Sequence, residues 1–540
     1  MKQLITIGVA LLSLSAQAQL VVQNGATFFI DAGASVTVQG DVTASANISG
    51  TGKLLMKGTT LQNLNLNGFS VPNLEIDNAS HVALGGAGRV EGVLTFTNGK
   101  LQLGANNLTV SSAGSFTGAA AGKFVETNGT GELRKELTAA GSVTLPLGVG
   151  SDYTPLQYQL TGGTYTSAFV AGRAINGGHP AKHPRSTDFL NNYWSLNRSG
   201  VAGATVTAVG TYVDPSDVTG TEADLRSMTY NGSAWTLGSA QDNAANTVTA
   251  AVPTNTGDLY AMNRFVLVSP KAFLQGAFNT TTGLMSDLLR NSSGAYTPGS
   301  LPASNLLPTS DPYRTSPYSS FFTHSNNSVP EALTSTAVLN DLASSENQIV
   351  DWIFLELRNN VTPGNTIQQT RSALIQRDGD IVDIDGVSPV YFKNIDAGNY
   401  ALVVRHRNHL AMSQNPANAI GLSLSSTAFD FTNTANTALL GTAGAAYVQT
   451  GTTLKNVMWS GNGSMNNNVR YGGPANDKDY LLSTGLSGNA ATVLTGVYNV
   501  NDLNLNRVVR YGGPTNDKDF LLNTPLITNG SLTRTQVLPN

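Results

Sequence analysis

Between about residue 26 and residue 125 the sequence sets apolar residues in pairs one position apart, and a turn follows almost every pair. Phe28/Ile30, Val36/Val38, Leu54/Met56, Leu64/Leu66, Leu74/Ile76, Val82/Leu84, Leu94/Phe96, Leu101/Leu103 and Leu108/Val110 carry the pattern. Side chains alternate across a strand, so each pair points to one face. Gly40-Asp41, Asn67-Gly68 and Asn98-Gly99 supply the turns. Such short strands suit the stacked rungs of a β-solenoid, in which each rung covers the apolar face of its neighbour. A plain sandwich of meandering strands would use the same residues, but the density of turns favours a solenoid of about five rungs.

The chain has 540 residues, more than one ordinary core accommodates, and three or four domains are expected. Charged residues are only 12 %, while Gly numbers 56. Hydroxyls and amides therefore carry the surface polarity, as suits exported β proteins. With a net charge of −4 and Lys+Arg 30 scattered without a basic run, nothing marks a nucleic-acid or anionic-membrane partner. Cys 0 removes disulfides, thiolate nucleophiles, Cys-ligated metals and a lipidated cysteine. Met1-Lys2-Gln3, the apolar Leu4 to Leu14 and the Ala16-Gln17-Ala18 cleavage pattern read as a signal peptide over 1–18. No later stretch is long enough for a transmembrane helix. The expected location is extracellular, on the outer cell surface or in the periplasm.

The expected organisation is a mainly β, multidomain chain, with a solenoid-like domain over 19–125. Over 126–262 the strands lengthen, with turns at intervals that suggest an immunoglobulin-like β-sandwich and with Trp194 and Trp235 in its core. Over 263–455 a Ser-, Pro- and Asn-rich surface loop at 291–327 precedes clear strands at Val350 to Arg358, Ser372 to Arg377 and Tyr400 to Arg405. Their order resembles the transthyretin-like sandwich of bacterial surface proteins. The last region, 456–540, holds a duplication: Val469-Arg470-Tyr471-Gly472-Gly473-Pro474 returns as Val509-Arg510-Tyr511-Gly512-Gly513-Pro514, and Asn476-Asp477-Lys478-Asp479 returns as Asn516-Asp517-Lys518-Asp519.

Upstream of each copy, oxygen-bearing side chains alternate: Asn462, Ser464 and Asn466, then Asp502, Asn504 and Asn506. Spacing of this kind folds oxygens around a hard cation, and calcium takes six to eight of them from a flexible loop. Gly is missing at the sixth position, where Asn467 and Arg507 stand, and Gly473 and Gly513 occupy the twelfth. The downstream Asp477/Asp479 and Asp517/Asp519 would complete an enlarged loop. Alternatively, these Asp residues cap a short helix from Asp477 to Leu482 and the Asn residues make turns. Asp378, Asp380, Asp383 and Asp385 surround an Asp-Gly hairpin and read as solvated acids. His406 and His409, three apart on a strand, are expected on opposite faces. His179 and His183, each followed by Pro, read as surface loop. No nucleophile elbow, zinc-protease motif or phosphate-binding loop occurs.

Taken together, the chain resembles the secreted multidomain adhesin-like proteins of Gram-negative bacteria often labelled hemagglutinin proteins. The resemblance is carried by Gly129-Thr130-Gly131-Glu132-Leu133-Arg134, Leu274-Gln275-Gly276-Ala277-Phe278, Val350 to Arg358, Gln376-Arg377-Asp378-Gly379-Asp380, Val404-Arg405-His406-Arg407-Asn408-His409-Leu410 and the terminal repeats. It implies dockerin-like calcium repeats at the C-terminus and a non-enzymatic adhesive or scaffolding function, with an extracellular glycan or protein ligand. A carbohydrate-active enzyme or glycan-binding protein with accessory β modules is the alternative.

Overall fold

A computed structural model describes residues 19–238, 240–325, 329–361 and 365–539; the expected signal peptide, 1–18, lies outside them. The chain is mainly β and divides into two compact units, one ending at Asn263 and the other starting at Arg264.

The first unit opens with a β-solenoid of about six turns. Along one side the strands Leu20–Val22, Val42–Ala44, Gln62–Asn65, Val82–Gly86, Leu101–Gln102, Val125–Glu126 and Leu147–Val149 pair in parallel. Two further parallel ladders, Ser70–Val71 to Leu133–Leu137 and Ser35–Val38 to Ser115–Thr117, form the other sides. The apolar pairs point inward: Leu64, Leu66, Leu74 and Ile76 are each 0 % exposed. Amides tie the corners. Asn73 Nδ2 donates to the Thr51 and Gly52 carbonyls of the preceding turn, while its Oδ1 accepts from Val93 N–H in the next. The Asn-rich composition thus satisfies corner backbone groups that no strand reaches. Gly99 sits at φ +74 with the Asn78 carbonyl where a Cβ would stand, so no other residue fits that corner.

The parallel ladder continues past residue 125 to Val149. Leu133–Leu137 pairs in parallel with Leu108–Val110 on one side and antiparallel with Thr164–Asn176 on the other, so one sheet passes from solenoid into sandwich. A second antiparallel sheet contains Gly141–Leu145, Leu156–Thr161, Thr205–Thr211 and Thr247–Ala251. Trp194 is wholly buried and donates from Nε1 to Thr154 O. Trp235 is only partly buried; with Tyr193, Tyr230 and Tyr260 it surrounds the buried His179, which lies in a loop but not on the surface.

In the second unit the strand Ile349–Asn359 is buried along nearly its whole length. It lies between Ile367–Gln376 and Gly398–His406. The 291–325 stretch, expected as a surface excursion, packs onto it. Tyr313 and Phe322 stack against Phe354, Tyr313 OH donates to Trp352 O, and Trp352 Nε1 donates to Pro308 O. A strand apolar on both faces needs this second cover, and the loop supplies it.

The C-terminal copies interlock. Val493–Thr495, which follows the first helix (Asp477–Tyr480), pairs with Val508–Arg510 of the second copy. Thr533–Thr535, which follows the second helix (Asp517–Asn523), returns to Asn468–Arg470 of the first. Each two-stranded ribbon thus contains one strand from each copy, and the pair closes on itself. Among the described residues no helix is long and apolar enough to cross a membrane.

Candidate functional site: the duplicated C-terminal loops

In the second copy Asp502 is 0 % exposed; its Oδ1 accepts from Asn506 N–H at 2.9 Å and its Oδ2 from Arg507 N–H at 2.8 Å. Asp517, also 0 % exposed, accepts from Leu503 N–H and Arg510 N–H. These bonds curl the loop back on itself and leave each carboxylate oxygen a further lone pair. Asn504 Oδ1 and Asn506 Oδ1 close turns onto Asn506 N–H and Val508 N–H, and both amide groups donate to Thr515 O. Burial pushes the Asp502 carboxyl up to about 6, against the pull of Arg407. Burial, together with the Asp502 charge beside it, pushes Asp517 well above the usual range.

The first copy repeats the design with less charge. Asp477 accepts from Ser464 N–H and Oγ–H and from Arg470 N–H, and burial pushes it up to about 6. Asn462 stands where Asp502 stands, and its Oδ1 is buried without a hydrogen-bond partner. Asn466 closes a turn onto Asn468 N–H and donates to Ala475 O. At the sixth position, where a loop of this kind usually has Gly, Asn467 and Arg507 hold φ +66 and +76. Both keep the left-handed backbone despite its cost to a side chain.

Asp479 and Asp519 do not join these groups. Asn476 and Asn516 are the helix N-caps, accepting from Asp479 N–H and Asp519 N–H, while their amides donate back to the same Asp carboxylates. Both acids are thus exposed residues of the first helical turn that accept from the cap side chain, each paired with the adjacent Lys478 or Lys518. The helix-capping alternative holds for them, with Asn rather than Asp at the cap, but not for Asp477 and Asp517, which face into the loops.

One part of the site has no counterpart in the repeat pattern. The tip of the hairpin between Gly398–His406 and His409–Ser413 reaches the second loop. Asn408 Nδ2 donates to the Val500 and Asp502 carbonyls, and Arg407 Nη1 donates to Asn499 O at 2.6 Å. Arg407 is held in turn by Asp351, which also accepts from His406 Nε2 and Tyr498 OH. Burial opposes a charge on Asp351, yet Arg407, His406 and Tyr498 outweigh it and hold the carboxyl down at about 2. His406 and His409 do not point to opposite faces. The hairpin turn pairs them, Nδ1 to Nδ1, at 3.0 Å. Gly276 N–H donates to His409 Nε2, so the neutral His409 carries its proton on Nδ1 and His406 on Nε2. Burial lowers the pKa of both, that of His409 furthest. The Arg405-His406-Arg407-Asn408-His409 motif was visible in the sequence, but its reach into the second repeat was not. Elsewhere, Asp378 and Asp380 pair with Lys271 at the end of the strand Phe265–Lys271, and Asp383, expected as a solvated acid, is buried and accepts from Ile384 N–H and Tyr391 N–H.

The second copy brings two buried carboxylates beside the amide oxygens of Asn504 and Asn506, oxygens of the kind a hard divalent cation takes. The first copy offers one carboxylate and the orphaned Asn462 oxygen. Among the described residues no group of three or more His, Cys, Asp or Glu is arranged for a metal ion, so amide and carbonyl oxygens must supply much of any shell. Protein-family models, curated proteins and solved structures yielded no match to this chain.

Proposed function

We propose that this chain is an exported, non-enzymatic adhesin-like or scaffolding protein whose interlocked C-terminal repeats are stabilised by calcium. On this reading the sandwich of the first unit is immunoglobulin-like, that of the second transthyretin-like, and the repeats dockerin-like. Asp502 and Asp517 hold the ion with oxygens of Asn504 and Asn506, and the first copy binds more weakly through Asn462, Ser464, Asn466 and Asp477. The partner is an extracellular glycan or protein.

The observation that carries the reading is the burial of Asp502 beside Asp517 in a loop whose backbone already orients both. Two like charges out of water raise each other's cost of ionisation, and a divalent cation is the simplest group that removes it. Arg407 gives its hydrogen bonds to Asn499 O and Asp351. The test is a thermal melt of the full chain with calcium and with chelator, run beside a pull-down with intact cells and a glycan panel. A calcium-dependent rise in melting temperature and binding without turnover are expected. Superimposable melts would leave these residues as ordinary turn formers, and products released from polysaccharides would overturn the non-enzymatic part.

A further inference from the structure

The seam between solenoid and sandwich carries a groove of 460 Å³ on the outer face of the shared sheet. We propose that it binds a short neutral oligosaccharide. Thr109 and Ser112 come from the solenoid, Arg134 and Glu136 from the seam strand, and Tyr165 and Phe169 from the strand Thr164–Asn176 that pairs with it.

Three observations support this assignment. First, the charged groups are fixed before any ligand arrives. Arg89 reaches across the Thr109 strand and clasps Glu136 through both guanidinium nitrogens, while Arg134 pairs with Glu132 at 3.0 Å and lies 5.1 Å from the centre of the Phe169 ring. Each charge is matched, so the groove has no excess sign to attract an ion. Second, two aromatic side chains and several hydroxyls share the lining, as suits a pyranose with an apolar C–H face and a polar rim. Third, the sandwich strand is irregular here. Its register shifts between Tyr165 and Phe169, and Ser167 holds φ +46. A bulge re-aims side chains, and left-handed backbone at a non-Gly residue persists where the surroundings impose it. The volume falls within the roughly 300–1,000 Å³ of small-ligand sites, which suits a few sugar rings better than a folded partner.

The inference builds on the proposed adhesive function, but the two fail separately. Isothermal titration and saturation-transfer NMR on the full chain, with cello-, xylo- and mannohexaose as neutral probes and a galacturonate oligomer as the charged one, provide the test. At least one neutral hexasaccharide is expected to bind. Tyr165→Ala should weaken it about tenfold or more, and Thr138→Trp, a bulky residue at the exposed lip, should abolish it with the melting curve unchanged. No saturation by any neutral probe, preferential binding of the galacturonate oligomer, or binding indifferent to both variants would overturn the groove. Groove binding that persists in a chain whose melt ignores calcium would instead count against the C-terminal reading alone.

Discussion

At the scale of single residues, the buried acids decide how the C-terminal module responds to pH and to metal. Asp502 holds its proton up to about 6 in the fold, whereas the unfolded chain loses it near 3.9. The stability that Asp502 contributes to the ion-free module is therefore complete in acid and is lost as pH rises from about 4 to about 6. Calcium requires the ionised carboxylates, so its stabilising effect grows over the same window and above it. The calcium-induced shift in melting temperature is expected to be larger at about pH 7.5 than at about pH 5, and an equal shift at both would contradict the assignment. At about a hundred times the dissociation constant, calcium should add roughly 2.7 kcal/mol. Asp502→Ala and Asp517→Ala should lose most of that gain, and Asn462→Ala less, because it removes a neutral oxygen from the weaker loop. The histidine pair behaves in the opposite sense. Both pKa values are lowered, so the stability they contribute is complete above about 6.5 and is lost as the unfolded chain takes up protons below it. Nitrogen chemical shifts of the neutral rings should place the proton of His409 on Nδ1 and that of His406 on Nε2, and the opposite tautomer for either ring would refute the network.

At the scale of elements, the short rungs of the solenoid are held by packing and corner amides, since isolated three-residue strands have little stability of their own. Leu74→Ala, at a position with 0 % exposure, should cost about 2–5 kcal/mol through lost contacts and the cavity left behind. Leu64→Asp, which buries an unpaired charge, should unfold the solenoid. Urea titration followed by far-ultraviolet circular dichroism measures both, and tolerance of either would mean those side chains point outward. The apolar-x-apolar pairs made this architecture legible, because strand alternation depends on the local chain alone. The number of turns and the run of the ladder through Val125–Glu126 and Leu147–Val149 were not legible. There the rung sequences merge with those of the sandwich that continues the same sheet. The hairpin pairing of His406 with His409 was missed for a related reason: strand alternation holds only until the chain turns, and Arg407-Asn408 is the turn.

For the whole molecule, the division after Asn263 leads to a direct expectation. Fragments 19–263 and 264–540 should each fold and melt cooperatively when expressed separately, as units with their own cores do. The interlocked ribbons make the opposite expectation for the repeats. Neither copy has a partner for its Asn468–Arg470 or Val508–Arg510 strand without the other, so a chain truncated at residue 500 should lose the native fold of the first copy as well. Amide hydrogen exchange of Val469, fast in the truncated chain and protected in the full one, would show this; protection in both would refute it.

The sequence by itself determined what is local: inward-facing pairs, Gly and Asn at the corners, the duplication, and the oxygens of Asp502, Asn504 and Asn506 at alternating positions. The tertiary structure decided which groups meet. It separated Asp479 and Asp519 from Asp477 and Asp517, because helix capping takes up one acid of each pair and loop closure the other. It brought Arg407 and Asn408 against the second loop across about ninety residues of chain, and it joined Thr109 and Phe169 in one groove. Spacing along the chain records which side chains share a face of one element; contact between elements depends on how their apolar faces find cover, and no local pattern encodes that.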